Sequence, residues 1–138
     1  MIDEKCIFCK IANGEIPSYT LYEDDMFKVI FDLSPVTKGH ALLIPKNHYR
    51  NIFELDDACA EKALLTAKKV SIAMKKVLNC DGFNLLQNNE EIAGQTIFHF
   101  HIHLIPRYNN DGVNLSSPTG ELDKSTAEEI AKLIKDLV

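Results

Sequence analysis

Apolar residues recur with two different periods along this chain, and each period predicts one type of secondary structure. From residue 56 to about residue 78 they recur every three or four positions with lysines between them, which predicts a long helix with one buried face. The residues predicted on that face are Ala60, Ala63, Leu64, Ala67, Val70, Met74 and Val77. Shorter runs that are rich in β-branched and aromatic residues predict strands. The predicted strands cover residues 20–23, 27–32, 40–45, 83–88 and 99–106.

Two shorter helices are predicted near the ends of the chain. Residues 6–11 precede Gly14, so they predict a turn or two of helix that ends at the glycine. After a loop rich in Asn, Ser, Pro and Gly over residues 109–120, Ser125 is predicted to cap a C-terminal helix. The order of the elements predicts an α+β domain, in which the long helix packs on an antiparallel β-sheet of about five strands.

Length and charge narrow the class of protein. The chain has 138 residues, 46% of them hydrophobic, which predicts a single domain over residues 1–138 with its core over about residues 6–107 and a C-terminal loop and helix over 108–138. A formal charge of −5 disfavours nucleic acid as a partner. No apolar run approaches the roughly 18 residues that a membrane span needs. The N-terminus lacks a basic segment followed by an apolar one, so we expect a cytoplasmic protein that does not contact membranes.

Three histidines alternate with apolar residues on the last predicted strand. Because side chains alternate across a strand, His99, His101 and His103 share one face, roughly 6 to 7 Å apart. An imidazole near neutral pH can act as a nucleophile, a proton carrier or a metal ligand. One metal site built from all three is the main alternative, but equal spacing along a strand spreads the rings apart. The pattern therefore favours separate functions over a shared metal or a purely structural role.

Two of the four cysteines have the spacing of a metal-binding pair. Cys6 and Cys9 are separated by two residues, the spacing at which two thiolates reach one zinc ion. The pair alone is weak support for zinc, which prefers four ligands, and the alternative is a pair of reduced, partly buried thiols. Cys59 and Cys80 lack such spacing and are expected to be packing residues.

One segment resembles the histidine triad of the HIT family: His99-Phe100-His101-Ile102-His103-Leu104-Ile105. A second segment, Phe31-Asp32-Leu33-Ser34-Pro35 followed by residues 39–48, is similar to the segment before the long helix of that family. A third, Gly94-Gln95-Thr96, is similar to its phosphate-binding loop. The resemblance covers nearly the whole chain except about the last thirty residues, and it implies a HIT-like fold.

The resemblance implies a nucleotidyl hydrolase or transferase that works through a covalent nucleotidyl-histidine. His101, the middle histidine, would attack the α-phosphorus of the nucleotide, and water would then cleave the intermediate. His103 would contact the phosphate and donate a proton to the leaving group. His40 corresponds to a fourth histidine that lies against the triad. Such a site is expected to need no magnesium.

The same resemblance implies which residues bind the substrate. Neutral donors to the phosphate oxygens are expected from Asn88, Gln95 and Thr96. Asp32 is expected to accept hydrogen bonds from the ribose hydroxyls. An apolar slot for the base is expected from Phe8, Ile11, Ile30, Phe31 and Leu33, although most of these are also ordinary core residue types.

In the branch of the family that keeps the N-terminal cysteine pair, the resemblance implies a structural zinc ion. Its ligands would be Cys6, Cys9, His48 and His99. Four protein ligands leave no open position for substrate, so the metal would hold the fold and not take part in the reaction.

Three functions remain open at this stage. The favoured one is hydrolysis of purine nucleoside phosphoramidates, with adenosine as the expected nucleoside, or of related nucleotidyl esters. The alternatives are hydrolysis of dinucleoside polyphosphates, and nucleotide-dependent regulation in which turnover is incidental. The resemblance also implies a homodimer formed through the helix at 56–78 and a neighbouring strand.

Overall fold

The computed structural model describes all residues from 1 to 138 and contains one antiparallel five-stranded sheet. The strand order is β1-β2-β3-β5-β4, so β1 and β4 form the two edges. The elements in chain order are α1 (Ile7–Ala12), β1 (Thr20–Glu23), β2 (Phe27–Phe31), β3 (Ala41–Pro45), α2 (Asp57–Leu78), β4 (Gly82–Leu86), a 3₁₀ turn (Glu91–Ala93), β5 (Ile102–Arg107) and α3 (Lys124–Lys135). The α+β fold expected from the sequence is confirmed.

Helix α2 covers one face of the sheet. It begins after Asp56, whose carboxylate accepts a hydrogen bond from the N–H of Cys59 (2.7 Å). Its inward side chains form the largest apolar cluster with side chains of β2, β3 and the segment around β5. Leu64 and Val77, which the periodicity assigns to the buried face, are instead 64% and 83% exposed. The helix therefore has a second apolar surface that the domain itself does not cover.

Helix α1 packs on the opposite face of the sheet. Phe8 and Ala12 of α1 are buried against Ile30, Leu42 and Ile44 of the central strands. A helix of six residues is too short to cover this face, and a cleft remains beside it. His101 and His103 lie on this side of the sheet and line the cleft.

The triad segment is only partly a strand. The sequence predicts a strand from residue 99, but β5 begins at Ile102. The difference arises because the N–H of Phe100 donates to the carbonyl of Tyr49 (2.7 Å), so the chain before β5 is held by the segment that follows β3. The expected alternation persists, since Phe100 and Ile102 are buried under α2 while His101 packs against Phe8 on the other face.

Helix α3 differs from the prediction at its start. The cap is Asp123 and not Ser125, because the Asp123 carboxylate accepts the N–H of Thr126 (3.2 Å). None of the helix residues is buried, and its apolar face is open. No helix of the chain is long and apolar enough to cross a membrane.

Candidate active site and metal site

His101 is held in one tautomer by the backbone. Its Nδ1 lies 2.7 Å from the carbonyl oxygen of His99, which can only accept, so Nδ1 carries the hydrogen. Nε2 therefore keeps its lone pair. Burial lowers the pKa of His101, although the His99 carbonyl and the Asp32 charge oppose this shift. A neutral ring with a free Nε2 lone pair is the form of histidine that can act as a nucleophile.

His103 is held in the opposite tautomer by a relay that begins at Val36. The N–H of Val36 donates to Nδ1 of His40 (3.1 Å), so the hydrogen of a neutral His40 is on Nε2. That Nε2–H donates to Nδ1 of His103 (2.9 Å), which leaves the His103 hydrogen on Nε2. Burial, with the neighbouring His101 and His40, lowers the pKa of His103 to about 4. His101 and His103 thus form an acceptor and donor pair, with ring centroids 4.9 Å apart.

Both rings line a cleft of about 590 Å³ between α1, the end of β2 and the segment before the triad. Each residue that the sequence assigned to the base slot also lines it: Phe8, Ile11, Ile30, Phe31 and Leu33. Asp32 lies in the same wall, with Oδ2 at 3.7 Å from Nε2 of His40. A single carboxylate in a mostly apolar cleft suits a ligand with an apolar ring and a hydroxylated part.

Several residues that line the cleft were not predicted from the sequence. The wall is completed by Ile7, Ile16, Pro17, Ser18, Tyr19, Leu42 and Ile97. Residues 16–19 join α1 to β1 and have no periodic pattern, so only the tertiary fold brings them to the cleft. From the sequence, Leu42 is expected only to be a core residue of β3, but it also lines the cleft.

The three expected phosphate donors have different environments. Thr96 lines the cleft. Asn88 lies outside its lining, and its amide reaches the carbonyl of Gly94 (3.4 Å). Gln95 is 1% exposed, and both hydrogens of its amide are taken by the carbonyls of Arg50 and Ile97. In this structure the Gln95 side chain therefore stabilises its own loop and has no donor left for a phosphate.

The expected metal ligands converge behind the cleft. Nδ1 of His99 lies 3.4 Å from the sulfur atoms of both Cys6 and Cys9 and 3.3 Å from Nδ1 of His48. The Cys9 sulfur is 3.5 Å from the same nitrogen of His48. These separations match the edges of a tetrahedron around zinc, for which Zn–S is about 2.3 Å and Zn–N about 2.0 Å.

The chemistry of the donor set also fits a metal ion. Nε2 of His99 donates to the carbonyl of Pro45 (2.8 Å), so Nδ1 presents a lone pair to the other ligands. Backbone N–H groups of Asp3 and Cys9 point to the two sulfur atoms, at 3.4 and 3.5 Å. Burial raises the pKa of the Cys9 thiol to about 11, so a bound cation is what would make it a thiolate near neutral pH.

A second group of potential ligands, Asp32, His40 and His103, has its donor atoms within 4.8 Å of one another. Here the hydrogen-bond relay argues against a metal ion. Nδ1 of His40 accepts the Val36 N–H, so a metal ion on Nε2 would require either an imidazolate or loss of that hydrogen bond. We therefore interpret this group as a hydrogen-bond relay that sets the tautomers of the two rings.

The fold and the site together define a class of protein: a small α+β domain with a pair of complementary histidines in one cleft. Comparison with known proteins identifies the family, since residues 13–110 match the family model of the HIT domain. The chain belongs to the HIT family.

Two curated relatives have names that state an activity. Adenosine 5'-monophosphoramidase HNT1 of Saccharomyces cerevisiae is 39% identical over 138 residues, which are 99% of this chain and 83% of that protein. Adenylylsulfatase HINT3 of Arabidopsis thaliana is 40% identical over 134 residues, which are 94% of this chain and 68% of that protein. The family and these relatives support an activity on nucleotides.

Two solved structures are similar over nearly their whole length. A HIT family protein from Bacillus anthracis has a TM-score of 0.91 and 44% identity, with 98% of each chain covered. A zinc-bound histidine triad family protein from Mycobacterium smegmatis has a TM-score of 0.76 and 30% identity, with 96% of this chain and 97% of that chain covered. The first supports the fold, and the second shows that a member of this fold family binds zinc.

Proposed function

We propose that this protein is a nucleotidyl hydrolase that cleaves purine nucleoside phosphoramidates or related nucleotidyl esters through a covalent intermediate on His101. The observation that carries the proposal is the pair of opposite tautomers in one cleft. His101 has its lone pair on Nε2, while His103 has its hydrogen on Nε2. Nucleophilic displacement at phosphorus needs one group of each kind.

In the first step, Nε2 of His101 forms a bond to the α-phosphorus as the bond from phosphorus to the leaving nitrogen or oxygen breaks. The leaving atom keeps the electron pair of the broken bond and takes a proton from solvent, while the Nε2–H of His103 donates a hydrogen bond to it. In the second step, water attacks the phosphorus, loses a proton to solvent and breaks the bond from phosphorus to His101, which releases a nucleoside monophosphate. Two displacements replace one harder displacement.

The substrate class follows from the cleft and from the relatives. An apolar slot with Asp32 in its wall suits a purine nucleoside, with the carboxylate accepting from the ribose hydroxyls. The yeast relative is named for an adenosine phosphoramidate and the plant relative for an adenylyl sulfate, so adenosine is the expected nucleoside. A dinucleoside polyphosphate hydrolase and a regulatory nucleotide-binding protein are the alternatives.

We also propose that Cys6, Cys9, His48 and His99 hold a structural zinc ion. When bound, the ion would fix these four side chains and leave no position for substrate. Charge on the phosphate is expected to be stabilised by hydrogen bonds from His103 and from neutral donors, so we expect turnover without magnesium. We expect the protein to act in the cytoplasm as a homodimer.

The direct test is to mix the protein with an adenosine phosphoramidate and to measure its intact mass. We expect a rapid gain of one adenylyl group in the wild type, and neither the gain nor turnover in His101→Ala. An adduct that maps by peptide sequencing to His103 would contradict the assigned roles. Faster turnover of diadenosine polyphosphates than of phosphoramidates would favour the first alternative.

A further inference from the structure

Segment 94–97 contributes part of the cleft wall beside the histidines. Thr96 and Ile97 line the cleft, and their backbone N–H groups make no hydrogen bond within the chain. Free N–H groups beside a reacting phosphate are donors for the charge that develops on its oxygens. The value of such donors depends on their being held in place before the substrate arrives.

The segment is held by Gln95, whose side-chain amide and backbone N–H are all hydrogen-bonded. Its amide donates to the carbonyls of Arg50 (2.8 Å) and Ile97 (3.1 Å). Its Oε1 accepts the N–H of Glu90 (2.8 Å), and its own N–H donates to the Glu90 carbonyl (3.1 Å). The geometry around Thr96 and Ile97 therefore depends on where Glu90 lies.

Glu90 has an unfavourable backbone conformation that its side chain holds in place. Its φ is 74° with ψ of 159°, a region that residues with a Cβ atom rarely adopt. Its carboxylate accepts from the Asn51 amide (2.7 Å) and from the Arg50 guanidinium (3.0 Å). Asn51 is only 2% exposed, and its Oδ1 accepts the N–H of Phe53 (3.1 Å), so its amide is itself fixed.

The segment that holds Glu90 also holds the triad. Tyr49, two residues before Asn51, accepts the N–H of Phe100 next to His101 (2.7 Å). Residues 49–51 thus connect the nucleophile to the donors of segment 94–97. We propose that Glu90 and Asn51 are positioning residues for the reaction, which fix the Thr96 and Ile97 N–H groups relative to His101. This inference rests on the proposed function.

The experiment compares Glu90→Ala, Glu90→Gln and Asn51→Ala with a matched control, Glu54→Ala. Glu54 is also a glutamate bonded to Arg50, through the Arg50 N–H (3.1 Å), but makes no bond to residues 88–97. We expect Glu90→Ala and Asn51→Ala to lower kcat on an adenosine phosphoramidate by about ten- to a hundredfold. KM should change by less than about twofold, because the apolar slot and Asp32 are untouched. Glu90→Gln keeps an acceptor for Asn51 and should recover most of kcat, and Glu54→Ala should match the wild type.

If Glu90 only stabilised the fold, the kinetic results would differ from these. Wild-type kcat in Glu90→Ala, an equal loss in Glu54→Ala, or a change in KM alone would overturn the inference. Amide hydrogen exchange gives a readout that does not depend on turnover. Exchange of the hydrogen-bonded Gly94 and Gln95 N–H groups should accelerate in Glu90→Ala and remain unchanged in α2. Equal acceleration in α2 would indicate general destabilisation and would also overturn the inference. An inactive wild type that still shows this local change would contradict the proposed function and show only that Glu90 holds segment 94–97 in place.

Discussion

At the scale of single residues, function depends on which nitrogen of each ring carries a hydrogen. Backbone groups decide this for His99, His101 and His40, through the carbonyls of Pro45 and His99 and the N–H of Val36. The position of the hydrogen on His103 is set in turn by the hydrogen bond that its Nδ1 accepts from His40. The four rings are neutral near pH 7 in this arrangement, because burial lowers the pKa of each.

This arrangement predicts how activity depends on pH. The pKa of His103 is lowered from 6.5 to about 4, and that of His40 is also lowered, in both cases chiefly by burial. We expect kcat/KM to be constant down to about pH 6.5 and to fall only below it, as protonation of His40 breaks the relay. The measurement is a pH profile of kcat/KM; an acid limb centred above pH 6.5 would contradict the prediction.

Asp32→Asn tests how the charge of Asp32 contributes to the pKa values of His40 and His103. The Asp32 carboxylate raises the pKa of His40 and of His103, in opposition to burial. Its removal should therefore move the acid limb of kcat/KM to lower pH, whatever it does to KM.

The lowered pKa of His103 also makes the free energy of unfolding depend on pH. Because the pKa is about 4 in the folded state and 6.5 for a free histidine, the stability is present above about pH 6.5 and is lost as the pH falls toward 4.

The sequence could predict the histidines and the slot but not the relay. Alternation along residues 99–103 is a local property, so it places the rings correctly from sequence alone. The tautomers depend on backbone atoms that are distant in sequence, such as Pro45 for His99, and no local pattern indicates them. Gln95 illustrates the same limit, because its partner Arg50 is 45 residues away.

At the scale of elements, the four proposed metal ligands connect α1 to the segments beside two central strands, β3 and β5. Cys6 caps α1 and Cys9 is inside it, while His48 follows β3 and His99 precedes β5. A six-residue helix has little stability of its own. A bound ion would therefore fix α1, and with it Phe8 in the cleft wall.

We expect Cys6→Ala combined with Cys9→Ala to abolish zinc binding and to lower Tm by about 5 °C or more. Much of the activity should remain, because the His101 tautomer depends on the His99 backbone and not on its ring. Zinc per chain is measured by elemental mass spectrometry, and Tm by calorimetry. Cys59→Ala is the control: it removes a buried thiol of α2, so Tm should fall while zinc is retained. Wild-type protein purified without chelators and free of zinc would refute the metal site.

Sequence patterns do not predict the residue at which helix α3 begins. Ser125 and Asp123 both have side chains that favour a helix cap, and the polar loop before α3 gives no reason to choose between them. The structure uses Asp123, so Asp123→Ala should accelerate hydrogen exchange across residues 124–128 several-fold. Ser125→Ala should have little effect; the reverse order would show that Ser125 is the cap.

At the scale of the whole molecule, the apolar periodicity predicts α2 and its buried face. It does not predict what covers the other apolar residues of this helix. The apolar face toward the sheet is buried, while Leu65 and Ile72 are 66% and 61% exposed. Strand β4 is an edge of the sheet next to this helix, and Leu85 on it is 45% exposed. An exposed edge strand and an apolar helix surface of this kind are usually covered in solution.

A second copy of the chain is the expected cover, since a two-fold axis can pair an edge strand and a helix with themselves. We expect light scattering after gel filtration to give a dimer for the wild type and a monomer for Leu65→Asp combined with Ile72→Asp. Circular dichroism should show an intact fold in both, because neither side chain belongs to the core of the domain. Phe53→Asp, which changes an 80% exposed apolar residue outside both α2 and β4, should remain a dimer. A wild-type monomer at micromolar concentration, or a dimer that survives the double substitution, would show that this surface has another role.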